Sequence, residues 1–309
     1  MAKYKARAIV TKYWKPGENY VEEIIKNVEG KVSDGDFIVI SEKALSTAQN
    51  NIVDESAVIP SLTAKVISKF WMRIVWGHML GRICHLREKL LLRLREYPTE
   101  MGSRHKQVAL QYAGFLQALM FGSEGAIDGS NLPYSYVSLA LDNADEIANR
   151  ISKTVWSRLN KKVCIIIVDT DKTYSFRNFH FTARPKPMKG IHSFGGILSY
   201  VAGRAFRFNR RATPLTVAGC DLQTEEALRI ASIANKTRGY GSGRTVWDMA
   251  EKFNVRLTDV SWEMLAKVEH KPIVILRRKR RHKRQQEQES ELAQSENNVR
   301  NTLIFSKFN

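Results

Sequence analysis

The sequence has few cysteines, and their arrangement gives no sign of a metal site or of paired thiols. Cys84, Cys164 and Cys220 are an odd number in 309 residues and lie far apart. No two of them form a CxxC pair or another spacing typical of metal ligands. We therefore predict reduced thiols in a cytoplasmic protein.

The sequence also lacks an apolar run long enough for a signal peptide or a membrane span. Residues 1–15 are mixed and basic rather than apolar. The segment from Val66 to Leu92 is rich in aromatic and aliphatic side chains, but Lys69, Arg73 and His78 interrupt it too often for a membrane helix. We predict a long helix whose wide apolar face contacts the core or another subunit.

Two common enzyme signatures are missing as well. No Ser, His and Asp residues stand in a convincing triad order. The glycine-rich segment Lys236–Arg244 follows a predicted helix rather than a strand, so it is not a Rossmann fingerprint. Its alternating glycines between basic residues are suited to wrap phosphates with backbone N–H groups, and a helix–helix linker is the alternative.

Positive charge exceeds negative charge, with 49 Lys and Arg against 31 Asp and Glu and a net charge of +18. Part of the excess is the run Arg277–Arg284, which precedes a segment rich in Gln, Glu and Ser that cannot bury a core. We predict a folded body of one or two subdomains at 1–276 and a low-complexity tail at 277–309. Nucleic acid or another polyanion is expected to bind only through this tail, for which a solubilising role is the favoured alternative.

Strand-like and helix-like segments both occur along the chain, which predicts an α+β fold with mixed sheets and several helices. Predicted strands cover 6–10, 37–40, 164–168, 214–219 and 272–276. One predicted helix ends at Lys26, and the others cover 62–97, 104–119, 147–159, 224–235, 245–253 and 262–268. The stretch Tyr174–Gly196 holds two prolines and three glycines and reads as irregular.

The most informative segment is Cys164–Asp171, an apolar run of β-branched residues that ends in two carboxylates and a hydroxyl. A buried strand delivers oxygen ligands in this way to a site at its C-terminal end. Oxygen ligands suit Mg²⁺ or Mn²⁺, and such ions usually accompany phosphates. A strand followed by an ordinary Asp/Thr turn is the alternative.

A second carboxylate lies in the loop Ser123–Pro133, where Asp128 precedes Ser130 and Asn131. Pro133 rules out a continuing helix, so the segment reads as irregular. Lys43, which follows the predicted strand at 37–40, is a candidate phosphate ligand, although most lysines are simply exposed. Two carboxylate loops beside glycine-rich backbone are what a metal–phosphate site needs.

Taken in this order, the motifs resemble those of the coenzyme F-420 (F420-0) γ-glutamyl ligases, which add glutamate to a deazaflavin cofactor precursor. The sequence looks like a divergent archaeal-type member. The resemblance runs from about Val10 to Leu276, and its most specific parts are Asp128-x-Ser130-Asn131 and Asp169-Thr170. The segments that carry it are Lys15–Glu18, Asp34–Ser46, Gly125–Asn131 and Ile166–Thr170.

The resemblance implies a GTP- and metal-dependent amide ligase that activates a carboxylate as an acyl phosphate before the glutamate amine attacks. It implies catalytic roles for Asp128 and Asp169, which would bind Mg²⁺ or Mn²⁺ together with Thr170. It further implies GTP, L-glutamate and a deazaflavin precursor as partners, in an intertwined homodimer. The implied nucleotide-binding residues are Glu42, Lys43, Asn131, Lys236, Thr237, Arg238, Gly239, Gly241 and Gly243.

The sequence departs from the family at two places. The family usually continues from Asp-Thr into Gly-Arg-Pro, whereas this chain continues Asp171–Arg177, and Thr47 and Gln49 replace a usual lysine and glutamate. The residues that contact phosphate are therefore expected to differ from the family's, with Arg177 or Lys172 as the replacements. A ligase of the same fold with another acceptor and a polyanion-binding protein are the alternative functions.

Overall fold

The computed structural model describes residues 3–122 and 124–279. Most of the described chain forms one large unit, Ala6–Leu276, and the described residues 3–5 and 277–279 fall outside it. Most of the predicted tail lies outside the described residues, including the segment beyond Lys279 that was predicted to bind polyanions.

The fold is α+β, as predicted. The strands are β1 Tyr4–Thr11, β2 Phe37–Ser41, β3 Ile52–Asp54, β4 Tyr136–Ser138, β5 Cys164–Phe176, β6 Phe179–Thr182, β7 His192–Ser193, β8 Asn209–Ala218 and β9 His270–Arg278. The α-helices are α1 Tyr20–Val28, α2 Glu42–Ala48, α3 Leu62–Val66, α4 Gly81–Ile83, α5 Glu88–Arg95, α6 Thr99–Tyr112, α7 Phe115–Ala118, α8 Ala144–Leu159, α9 Ile197–Ala205, α10 Thr224–Arg238, α11 Val246–Phe253 and α12 Trp262–Ala266. A π-helix occupies Ile67–Leu80 and a 3₁₀ turn Glu55–Ala57.

The main sheet is mixed, and its order is β1-β9-β2-β5-β6-β7, with β8 also paired to β5. Strand β2 runs parallel to β5 and antiparallel to β9. The β-branched runs of β2 and β5 are buried, as expected for central strands. Strands β3 and β4 form a separate antiparallel pair.

The largest hydrophobic core packs α1 and α8 against the sheet. Ile24 of α1, Ile151 of α8, and Ile38 and Ile165 of the sheet are all fully buried in it. In α8 the buried residues recur at the helical spacing seen in the sequence, Ile147, Ile151 and Val155. This packing fixes the parallel pair β2 and β5, and the candidate site lies where β2 ends beside β5.

The prediction of a single helix over 62–97 is wrong in its second half. Helix α3 continues through the π-helix to Ile83, and the chain then reverses at His85, which has a φ of +53°. The N–H groups of His85 and Leu86 bond back to the carbonyls of Arg82 and Gly81, which is the pattern of a helix end. Helix α5 then packs back on the π-helix, so the apolar face becomes the core of a helical hairpin.

Two further boundaries differ from the prediction. The helix predicted at 104–119 breaks at Gly114, whose φ of +98° favours glycine. The stretch Tyr174–Gly196 is not wholly irregular, because β5 extends to Phe176 and β6 pairs with it in an antiparallel hairpin. The prolines and glycines of that stretch begin only after Thr182, where regular structure gives way.

The expectation of reduced thiols is wrong for two of the three cysteines. Cys164 and Cys220 form a disulfide, and Cys84 is free and buried. Strands β5 and β8 are antiparallel and pair Ile165 with Ala218. Cys164, just before Ile165, therefore lies close to Cys220, two residues after Ala218. The proximity follows from strand pairing, which cysteine spacing in the sequence does not reveal. Within the described residues, no helix combines the length and apolarity that crossing a membrane requires.

Candidate functional site

A cavity of about 340 Å³ opens where β2 ends beside the middle of β5. The two strands are parallel, and Ser41 at the end of β2 pairs with Val168. Lys43, two residues after Ser41, and Asp169, one residue after Val168, therefore both line the cavity. Parallel strands bring their carboxyl ends to one edge of a sheet, which is the usual position of a ligand site.

An irregularity in β5 shapes the floor of this cavity. The pairing of β5 with β8 shifts register between Ile167 and Val168 and again between Asp169 and Lys172. Such bulges bend a strand and re-aim its side chains, and they recur beside active sites. Asp169, Thr170 and Lys172 all line the cavity as a result. The strand does not stop at the carboxylates, as the sequence suggested, but passes through them.

The Asp128 loop is fixed to the second, small sheet and faces Lys43. Backbone hydrogen bonds join Asp128 and Ser138 in both directions, at 3.3 and 3.1 Å. The Lys43 ammonium forms an ion pair with Asp128 and donates to the carbonyl and hydroxyl of Ser130, each at 2.8 Å. Asp128 and Asp169 thus border the same cavity although they are 41 residues apart in sequence (169 − 128).

A buried arginine that sequence analysis missed orients the second carboxylate. Arg184 is 1% exposed; its Nε donates to Asp169 Oδ2 at 2.8 Å and its Nη2 pairs with Glu42. Nη1 donates to the carbonyl of Pro185 at 2.7 Å. Burial raises the pKa of Glu42 to about 7, against the opposing effect of Arg184. Arg184 stands in the stretch predicted as irregular, so only its position beside β5 reveals its partners.

The glycine loop closes one side of the cavity and is attached to Asn131. Asn131 Oδ1 accepts from Ser242 N at 2.7 Å and from Ser242 Oγ at 2.6 Å. A Cβ placed on Gly241 would lie only 2.5 Å from the same Oδ1 atom, so glycine is required there. Asn131 therefore holds the loop in position and also lines the cavity.

Cations outnumber anions along this cavity. The basic lining residues are Lys43, Lys172, Arg238, Arg244 and Lys271, against Asp128, Asp169 and Glu269. Burial lowers the pKa of Lys172, and it lowers that of Arg238 to about 10, so that Arg238 still carries its charge at neutral pH. A concave surface with this balance is suited to a polyphosphate.

Not every residue predicted for the site lines the cavity. Lys43, Asp128, Asn131, Asp169, Thr170, Arg238, Gly239, Gly241 and Gly243 do so. Glu42 is buried beneath it and accepts from Leu141 N at 2.9 Å as well as from Arg184. Thr237 donates to the carbonyl of Ile233 within α10, and Lys236 is exposed on the same helix. These three residues do not line the cavity, and their expected place along a nucleotide stays a prediction.

The residues implied as metal ligands offer the oxygen donors that Mg²⁺ or Mn²⁺ prefers. Asp128 Oδ1 accepts from Ser130 N at 2.7 Å and Asp169 Oδ1 from Asp171 N at 3.2 Å, so internal bonds orient both carboxylates. Within 3–122 and 124–279, no cluster of three or more His, Cys, Asp or Glu side chains could hold an ion. A metal ion held by Asp128, Asp169 and Thr170 therefore stays a prediction.

The comparison with protein families shows which family this chain belongs to. Residues 8–245 match the model of the F420-0:γ-glutamyl ligase family. This chain belongs to that family. The match includes both carboxylate loops, Lys43, Arg184 and the glycine loop up to Thr245.

One curated relative is similar to this chain over most of the length of both proteins. An uncharacterised protein of Methanocaldococcus jannaschii is 33% identical over 287 residues, which cover 89% of this chain and 97% of the relative. The resemblance noted from the motifs is therefore confirmed. The γ-glutamyl ligase family is one of enzymes, and its name points to a substrate related to F420-0 and to glutamate.

Proposed function

We propose that this chain is a nucleotide- and metal-dependent ligase that joins L-glutamate to a carboxylate of a deazaflavin precursor, F420-0. The proposed partners are GTP, L-glutamate, the precursor and a second copy of the chain. One observation carries the proposal: a family member brings two carboxylates, a lysine and a glycine loop to one cavity with an excess of positive charge.

The proposed reaction has two steps whose atoms balance. An oxygen of the precursor carboxylate attacks the γ-phosphorus of GTP, and the bond from that phosphorus to the bridging oxygen breaks to release GDP. The glutamate nitrogen then attacks the carbonyl carbon of the acyl phosphate, forming the amide and losing a proton as inorganic phosphate leaves. Such chemistry depends on positioning and on charge neutralisation more than on a protein nucleophile.

Each charged group of the cavity has a role in this scheme. Lys43, Arg238 and Lys172 neutralise phosphate charge, and the glycine loop offers backbone N–H groups at close range. Asp128, Asp169 and Thr170 would hold Mg²⁺ or Mn²⁺, which would screen charge between phosphate oxygens. Arg184 acts through Asp169, because its bonds to that carboxylate and to Glu42 fix the direction of the Oδ2 atom. When phosphate enters, Lys43 can exchange its contact with Asp128 for a phosphate oxygen.

A reconstitution experiment tests the proposal. The purified protein is incubated with F420-0, L-glutamate, GTP or ATP, and Mg²⁺ or Mn²⁺, and products are measured by mass spectrometry. We expect one glutamyl group added to F420-0 for each GDP and each phosphate released. Without glutamate, hydroxylamine should trap the acyl phosphate as a hydroxamate.

Two outcomes would count against the proposal. Nucleotide hydrolysis that does not depend on F420-0 would contradict ligation, and glutamylation without nucleotide consumption would contradict the acyl phosphate. Product formation with another carboxylate acceptor in place of F420-0 would favour the alternative of a same-fold ligase with different substrates.

A further inference from the structure

A second cavity, of about 350 Å³, shares two of its lining residues, Asp128 and Arg244, with the first. Its other walls come from α6, from the segment around Tyr134 and from α11. The volume is within the range of roughly 300–1,000 Å³ that small-molecule sites occupy. The ligation scheme above leaves this cavity without a ligand.

Aromatic side chains line much of the second cavity. They are Tyr97, Phe121, Tyr134, Tyr136 and Trp247. Tyr97 and Trp247 pack edge to face with ring centroids 6.2 Å apart, and Tyr134 and Tyr136 do so at 6.3 Å. Rings fixed in this way offer apolar faces and edges to a planar aromatic ligand at little cost in side-chain entropy.

The charged groups on one wall of this cavity are already paired with one another. His105 lies with Nδ1 at 2.6 Å from Glu55 and with Nε2 at 3.3 Å from Glu124. Lys106, which is fully buried, lies 2.6 Å from Glu124. Burial alone would lower the pKa of His105, but the two glutamates raise it to about 10. The two positive charges of this cluster balance its two glutamates, so this wall offers no net charge to a ligand.

The unpaired charge lies instead at the wall that the two cavities share. The Arg244 guanidinium stacks on Tyr240, with its carbon 4.0 Å from the ring centroid. In the part of the chain that the structure describes, it forms no ion pair with a carboxylate within 4.0 Å. An anionic group on a ligand of the second cavity could pair with it while remaining next to Asp128.

We propose that the second cavity binds the planar aromatic ring of the acceptor, and that Arg244 pairs with the acceptor's acidic group at the shared wall. This places the reacting carboxylate beside the phosphate cavity, as transfer of a phosphoryl group requires. The identity of the ring as a deazaflavin rests on the proposed function. The chemical class, a planar aromatic ring carrying an anion, rests on the cavity itself.

A cavity-filling variant tests this assignment. Thr258 lines the second cavity only, so Thr258→Trp should fill it with an indole ring. Thr154→Trp is the matched control, because Thr154 lies on α8 and lines neither cavity. Binding of F420-0, of FMN as a second planar ring with an anionic group, and of GTP with Mn²⁺ is measured by equilibrium dialysis for all three proteins.

We expect Thr258→Trp to weaken F420-0 and FMN binding at least tenfold while GTP affinity stays within twofold of the wild type. The control should match the wild type for every ligand, and unchanged GTP binding shows that the variant is folded. If FMN but not F420-0 binds the wild type and Thr258→Trp abolishes it, the proposed function fails but the cavity assignment stands. If neither ring binds the wild type, or if Thr258→Trp binds them normally, the assignment is overturned.

Discussion

At the scale of single residues, the site is organised by carboxylates that are each bound to a cation. Asp128 is paired with Lys43, and Asp169 is paired with the buried Arg184. Removing the charge of Asp128 would leave Lys43 without its carboxylate, and removing that of Asp169 would leave Arg184 paired with Glu42 alone. Either change would make the charge that the cavity offers to phosphates more positive. Two predictions follow from such pairs, one in the site and one in the helical region beside it.

The first prediction concerns Asp169. The Asp169→Asn variant keeps the shape of the side chain but removes one negative charge from the implied metal site, so turnover should fall at least about a hundredfold. Arg184 keeps its bonds to Glu42 and to backbone carbonyls, so the melting temperature should change little. Steady-state ligation and thermal unfolding measure the two effects separately.

Asp142→Asn is the control for that variant. Asp142 is exposed and pairs with Lys186 on the surface, so its substitution should leave turnover unchanged. If Asp169→Asn retained near-normal ligation, Asp169 would be a structural residue only.

The second prediction concerns pH and the His105 cluster. The folded-state pKa of His105 is raised to about 10, so its stabilising effect is complete below its ordinary pKa of 6.5 and is lost as pH rises from there towards 10. Burial alone would raise the pKa of Glu124, but Lys106 and His105 lower it to about 2. The stabilising effect of Glu124 on the fold is therefore complete above its ordinary pKa of 4.5 and is lost as pH falls from there towards 2.

Urea unfolding between pH 6.5 and 10 tests the His105 part. In the wild type, stability should decline with pH by an extra slope of at most about 1.4 kcal/mol per pH unit. His105→Gln should remove this slope, whereas His78→Gln, at an exposed position on the π-helix, should keep it. Equal slopes in all three proteins would mean that His105 is neutral in the folded state.

At the scale of elements, the glycine loop between α10 and α11 depends on contacts that differ from one glycine to the next. Gly239 and Gly241 both have positive φ, but only Gly241 approaches Asn131. A Cβ on Gly239 would meet nothing within 4 Å. The two positions therefore separate the cost of backbone strain from the cost of displacing the loop.

We predict that Gly241→Ala weakens binding of GTP with Mn²⁺ about tenfold, because the added methyl group forces the loop away from Asn131. Gly239→Ala should change this affinity less than about threefold, since it carries the backbone cost alone. Isothermal titration calorimetry on both variants makes the comparison. Equal losses would show that the loop responds to backbone strain and not to its attachment at Asn131.

The helix and strand boundaries show where local sequence signals were sufficient to predict secondary structure. The run 164–168 was correctly predicted as a buried strand because its β-branched residues leave little choice. The continuation of β5 to Phe176 was missed, because the bulge at Asp169 has polar residues that look like a turn in sequence. The break at His85 was also missed, since a left-handed histidine has no strong sequence signal.

At the scale of the whole molecule, the cavity joins segments that the sequence keeps far apart. Lys43, Asp128, Asp169 and Arg238 come from four separate parts of the chain and line one cavity. A ligand that bridges them binds only the folded state, so it should raise the melting temperature. If a metal ion links phosphate to the carboxylates, nucleotide and metal together should raise the melting temperature by more than the sum of their separate shifts.

We therefore predict that GTP and Mn²⁺ or Mg²⁺ together raise the melting temperature by more than the two separate shifts added. Differential scanning fluorimetry with nucleotide alone, metal alone and both measures this excess. The Asp169→Asn variant should lose the excess while keeping a shift with nucleotide alone. Strictly additive shifts in the wild type would argue against a metal bridge at this site.

The sequence by itself determined the α+β class, the apolar strands and the oxygen-rich segments around Asp128 and Asp169, because these depend on local composition and periodicity. Its motifs also led to the right family. The tertiary structure alone decided that Arg184 supports Asp169, that Asn131 holds the glycine loop, and that Cys164 meets Cys220. Each of these contacts joins residues from different elements, and strand register, bulges and left-handed turns place them. Those features depend on how the whole chain packs, so no local pattern of residues encodes them.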